Sequence, residues 1–83
     1  MKVTIKYFAS VREAVGKGSE ARETAATTLG ALRDELLALG TPYSNVLTRG
    51  KAVRMALDRV MSDESASLTD GCEVAFFPPV TGG

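Results

Sequence analysis

Few side chains in this chain could do chemistry. It has no histidine and a single cysteine, Cys72. Without an imidazole it lacks the commonest general base and the commonest metal ligand, and Cys72 has no base at hand to activate it as a nucleophile. Cys72 lies in phase with Val74 and Phe76, which predicts a buried structural thiol facing the core. The neighbouring carboxylates Asp34-Glu35 and Asp63-Glu64 are expected on solvated surfaces rather than as an acid/base pair. Gly16-Lys17-Gly18-Ser19 has the glycines of a phosphate-binding loop but not its spacing. Val11 stands where that motif needs its first glycine, and Gly18 where it needs Ser or Thr, so the segment is a turn. No internal constellation and no metal site is expected.

The end of the chain is the better candidate. After Phe77 come Pro78-Pro79, which lack amide donors and fix φ, so sheet pairing is expected to stop there. Two successive prolines favour an extended spacer. Val80 and Thr81 follow, then Gly82-Gly83. Gly-Gly carries no side chain, so it suits a channel as narrow as the backbone, with an unhindered carboxylate at the tip. The expectation is a domain over residues 1–77 and an extended functional tail over 78–83, with its chemistry at the Gly83 carboxylate behind Gly82.

Composition narrows the setting. Eighty-three residues make one domain, with 45% apolar and 24% charged residues as in ordinary globular proteins. Ten basic and ten acidic residues cancel, which gives no electrostatic reason to expect a nucleic acid or an anionic membrane as partner. Met1-Lys2-Val3 runs into an alternating pattern with no signal-peptide block and no membrane-length apolar run. A lone cysteine suits a reducing compartment. A cytoplasmic location is expected.

The elements that must position the tail are read from periodicity. Residues 2–8 alternate and predict a strand with Val3, Ile5 and Tyr7 on one face and Lys2, Thr4, Lys6 and Phe8 on the other. A short segment through Val11-Arg12-Glu13 leads to the break at Gly16–Gly18, and residues 19–26 predict a second strand. Thr28 is the N-cap of a helix whose stripe is Leu29, Leu32, Leu36 and Leu39, with Gly40 as its left-handed terminator. Thr41-Pro42 reads as the cap and first position of a shorter helical turn closed by Gly50. Val53, Met55 and Leu57 alternate as a third strand, Val60-Met61 form a brief fourth, and Thr69-Asp70-Gly71 turns into the last strand, 72–77. The order predicts an α+β domain with one main helix packed on one face of a sheet.

Alternation leaves an anomaly. Phe8 falls on the lysine-bearing face of the first strand, and Phe77 shares the outward face of the last with Glu73 and Ala75. A bulge that returns one aromatic to the core is one reading. An apolar docking patch beside the tail is the other. Val60 and Met61 are adjacent, so a strand there sends one of them outward as well.

The segment Leu68-Thr69-Asp70-Gly71-Cys72-Glu73-Val74-Ala75-Phe76-Phe77-Pro78-Pro79-Val80-Thr81-Gly82-Gly83 resembles the C-terminal signature of the small-subunit family of molybdopterin synthase. Tyr7-Phe8-Ala9-Ser10-Val11-Arg12-Glu13 is similar to that family's first strand and following turn, and Ala31-Leu32-Arg33 to the start of its helix. Cys72 departs from the acidic residue common there. The resemblance implies a β-grasp, ubiquitin-like fold with first and last strands parallel at the sheet centre, bringing Phe8 and Phe77 together. It also implies a sulfur-carrier mechanism. An activating enzyme using ATP and magnesium adenylates Gly83, a sulfur donor protein supplies the sulfur of a terminal thiocarboxylate, and the tail enters a large catalytic subunit. There sulfur passes to cyclic pyranopterin monophosphate to make molybdopterin for the molybdenum cofactor. The catalytic side chains would belong to the partner, and no cofactor would be bound stably here. Phe8, Met61, Phe77, Pro78, Pro79, Val80 and Thr81 are the expected partner-binding residues. Two alternatives stand beside this one: a carrier for another pathway, of thiazole type, and a protein modifier joined to lysines.

Overall fold

The computed structural model describes residues 1–79. Its elements in chain order are β1 (Lys2–Tyr7), α1 (Ala9–Val15), β2 (Ser19–Glu23), α2 (Leu29–Leu37), α3 (Tyr43–Val46), β3 (Arg54–Leu57), β4 (Val60–Ser62) and β5 (Glu73–Phe77). The five strands form one mixed sheet in the order β2-β1-β5-β3-β4. β1 and β5 run parallel side by side, with Tyr7 opposite Phe76, and every other pairing is antiparallel. Charged β2 and three-residue β4 form the edges, and neither offers a long apolar edge for stray pairing.

The helices cover one face. Val3, Ile5 and Tyr7 of β1, Val74 and Phe76 of β5 and Met55 of β3 are buried on it, together with Leu29, Leu32 and Leu36 of α2. Thr28 caps α2 as expected, its hydroxyl accepting from the Ala31 amide at 3.1 Å. Cys72 is buried in this core.

Several local expectations are corrected. Helix α1 replaces the short connecting segment. Its two buried residues, Val11 and Val15, are one helical turn apart, and Gly16 ends it at φ 89°, a backbone shape that suits glycine. Leu39 is not part of the buried stripe. α2 ends at Leu37, and the following amides of Leu39 and Gly40 bond to carbonyls only three residues back, a tightened turn that leaves Leu39 50% exposed. Gly40 does take the left-handed shape, at φ 81°. Pro42 sits just before α3 as its N-cap rather than inside it, and α3 ends at Val46, well short of Gly50. β2 stops at Glu23, because the Thr24 hydroxyl turns the chain by accepting from the Ala26 amide.

Two polar ties fasten the helices to the sheet, and a third fastens α2 to the loops beside it. Glu20 on β2 accepts the hydroxyls of Tyr7 and Tyr43 on one oxygen, at 2.7 and 2.8 Å, while Lys17 approaches the other at 3.5 Å. Burial acts to raise the Glu20 pKa, but the two hydroxyls and Lys17 outweigh it and hold the carboxyl below its ordinary value. Burial, with Glu20 beside it, pushes the Tyr7 hydroxyl well above the tyrosine range. In the second tie Glu35 accepts from Arg22 Nε at 2.8 Å and from the Thr24 hydroxyl at 2.7 Å. In the third, buried Arg33 donates to the carbonyls of Leu47 and Thr48 at 2.6 and 3.1 Å, while Arg49 joins Asp34 to Glu64. The two acid pairs expected on solvated surfaces are therefore partly enlisted in structural ion pairs.

Candidate docking face and the root of the tail

The face of the sheet away from the helices carries the site residues, and register decides which of them meet. Lys6 is opposite Ala75, Ala75 opposite Ala56, and Ala56 opposite Met61, so one row crosses four strands. The next row toward the tail begins at Phe8. Its amide donates to the Phe76 carbonyl at 3.1 Å, which continues the β1–β5 ladder one step and sets Phe8 beside Phe77. Phe77 in turn is opposite Arg54 on β3. The sequence thus placed its two anomalous aromatics on the same face, and no bulge returns either to the core.

These residues make an apolar strip rimmed by charge. Phe8 is 48% exposed and Met61 54%, with Phe77 half-buried between them. Ala75 and Ala56 are buried although no helix covers this side, because larger neighbouring chains flank them. Val60, at 65%, is also exposed, so both adjacent residues of β4 reach solvent rather than one. The reason is β4's position at the sheet edge, where the helix-side position has no further strand beside it. On the opposite side of the strip Glu73 lies 3.5 Å from Lys6 and 3.7 Å from Arg59, forming an ionic border. Scattered apolar side chains are ordinary on protein surfaces, but a contiguous strip with a charged rim has the make-up of an interface.

The tail starts from this strip. β5 ends at Phe77, and Pro78 and Pro79 follow half-buried. Val80, Thr81, Gly82 and Gly83 lie outside the described residues. Because β5 is parallel to β1 and central, the chain leaves the sheet between Phe8 and Arg54. Sequence reasoning missed Arg54 and the Lys6–Glu73–Arg59 border. Arg54 was legible as the outward neighbour of Val53 and Met55 in the alternation; the border depends on pairing between distant segments. Among the described residues no group of His, Cys, Asp and Glu could hold a metal ion, and no helix is long and apolar enough to cross a membrane.

Comparison with known proteins agrees with the geometry. The profile of the ThiS family matches residues 5–83. The molybdopterin synthase sulfur carrier subunit of Escherichia coli is 42% identical over 83 residues, spanning 98% of this chain and 99% of that protein. Among solved structures, SAMP1 from Haloferax volcanii superposes with a TM-score of 0.78 at 23% identity, covering 100% of both chains. A protein–protein complex of subunits 1 and 2 of molybdopterin-converting factor from Helicobacter pylori contains a chain that matches with a TM-score of 0.69 at 24% identity, again over 100% of both. These two likenesses establish the β-grasp fold. With a family match across nearly the whole length and a full-length relative at this identity, the chain belongs to the ThiS family.

Proposed function

We propose that this protein is the sulfur carrier of molybdopterin synthesis, working as the small subunit of the synthase. One observation carries the reading: the register that sets Phe8 beside Phe77 puts an exposed apolar strip at the root of a Pro-Pro-Val-Thr-Gly-Gly tail. Docking surface and reactive tip are then parts of one device. The full-length relatives named as sulfur carrier subunits support the same reading.

The chemistry runs at the Gly83 carboxylate. In the activating enzyme a carboxylate oxygen attacks the α-phosphorus of magnesium-bound ATP and pyrophosphate leaves, giving an acyl-adenylate. Sulfide released by a donor protein attacks the carbonyl carbon, the bond from that carbon to the AMP oxygen breaks, and AMP and a proton depart, leaving a thiocarboxylate. The tail then enters the large subunit, where the sulfur is delivered to cyclic pyranopterin monophosphate. This chain supplies positioning rather than acid/base groups. Phe8, Met61 and Phe77 seat the domain, while Pro78, Pro79, Val80 and Thr81 span to the tip. Bare Gly82 lets the reacting carbonyl come within about 3–3.5 Å of its attacker.

Lengthening the tail tests this. One alanine added after Gly83 moves the electrophile by a backbone unit, roughly 3.3–3.6 Å, which exceeds the tolerance of a near-attack geometry. Each form is incubated with the activating enzyme, ATP and a sulfide source, and its intact mass is read for exchange of one oxygen by sulfur. The native chain gains the sulfur and the extended chain does not. An extended chain that takes up sulfur and delivers it to the pterin overturns the mechanism. A ladder of lysine conjugates in cells, with no thiocarboxylate, assigns the chain to protein modification instead.

A further inference from the structure

A cavity of about 270 Å³ opens at the end of the β3–β4 ladder, beside the apolar strip. Val53, Met55 and Met61 supply its apolar wall, and Ser62 completes it with four charged residues: Arg33, Arg54, Asp63 and Glu64. Three of the four are already engaged. Arg33 is committed to the carbonyls of Leu47 and Thr48 and lies 3.7 Å from Glu64. Glu64 is held by Arg49 as well. Asp63 accepts from the amide of Ser65 at 2.9 Å and from its hydroxyl. Arg54 is exposed, and among the described residues no carboxylate pairs with it.

We propose that this cavity is a socket for one carboxylate side chain, Glu or Asp, of the large partner subunit, with Arg54 as its ion-pair partner. The inference rests on the reading of the open sheet face as the docking surface, and names one contact within it. Continuity supports it, since Met61 belongs to both strip and cavity and Arg54 is opposite Phe77. Charge complementarity selects the occupant. The uncommitted group of the lining is a cation, and residues 48–54 carry Arg49, Lys51 and Arg54 with no acid among them. An acidic side chain reaches Arg54 with its carboxylate and lays its methylenes against Val53 and Met61. A basic one sets like charge against Arg54, and the two lining acids are already held, Glu64 by Arg49 and Arg33 and Asp63 by Ser65. The socket also fixes rotation about the strip, because apolar contact alone is non-directional.

The test is calorimetric titration of the full chain with the large subunit at low and high ionic strength. Wild-type affinity falls as salt rises. Arg54→Ala binds about tenfold more weakly at low salt with a flatter salt dependence, Arg54→Lys recovers part of the loss, and Arg54→Glu is weaker than Arg54→Ala. All three variants melt within about 2 °C of wild type, as surface changes do. If Arg54→Ala binds like wild type at low salt while Phe77→Ala is impaired, the socket is wrong and the docking face stands. If wild type shows no binding to the large subunit, the docking reading fails and the socket with it.

Discussion

The two faces of the central sheet are built from the same strands, often from adjacent residues, and have opposite fates. On the helix side Val3, Ile5, Tyr7, Val74 and Phe76 are at most 1% exposed. On the other side, one residue along, Phe8 is 48% exposed and Phe77 half-buried. Period-two geometry assigns each side chain to a face, and whether a face is used for folding depends only on what packs there. Here the helices meet one side, and the other keeps its apolar area exposed, the area proposed for docking. On the proposed reading, the hydrophobic residues of this small domain are divided between folding and binding.

Neighbouring substitutions test that division. Phe76→Ala should remove about 3–5 kcal/mol of stability, a large fraction of the roughly 5–15 kcal/mol typical of a domain, and urea melts should show it. Phe77→Ala should leave the melt almost unchanged and cost about 2 kcal/mol of binding to the large subunit, roughly thirtyfold in affinity. Equal effects of the two on stability would erase the distinction between the faces.

Glu20→Gln sharpens the comparison on the folding side, since this residue ties the sheet to α3 through Tyr7 and Tyr43. Losing a charged acceptor for two hydroxyls should cost about 1–2 kcal/mol. The sign of its pH dependence follows from its lowered folded-state pKa. The contribution is fully present above the ordinary carboxylate value of 4.5 and is lost as pH falls through the folded value. Wild type should therefore lose stability on acidification faster than Glu20→Gln, measured by thermal melts between pH 3 and about 6. The smallest effect is expected at Cys72, which is 4% exposed and core-facing. Cys72→Ala should cost about 1 kcal/mol and leave single-turnover sulfur transfer intact. Product that forms only when the thiol is present would move part of the chemistry off Gly83.

The sheet was legible because its strands alternate cleanly. The same alternation exposed Phe8 and Phe77 as misfits before any topology was known. Helix α1 was missed although Val11, Val15 and Gly16 carry its spacing and its stop, because a seven-residue helix shows only two apolar positions. Leu39 was placed in the stripe because periodicity does not report where a helix tightens and ends. Tyr7, Glu20 and Tyr43 meet across 13 and 23 positions of sequence, and Arg33 reaches carbonyls 14 and 15 residues away. No local pattern encodes such pairs. The tail reading rests on proline and glycine, which constrain the backbone directly, and its residues 80–83 lie outside the described residues.

The central place of β5 has a consequence for timing. Until that strand arrives, β2–β1 and β3–β4 are two separate ribbons without a shared ladder. A two-stranded ribbon is at best marginally stable in water, so the sheet closes only when the segment just before the tail has been synthesised and inserted. β5 joins partners some 70 residues upstream, the kind of distant contact that slows folding. A chain cut before Glu73, which lacks β5, would consequently be an unfolded polypeptide rather than a folded carrier lacking its tip. The exposed strip is thus completed by one late folding event, which takes place only on chains that have also made the root of the tail.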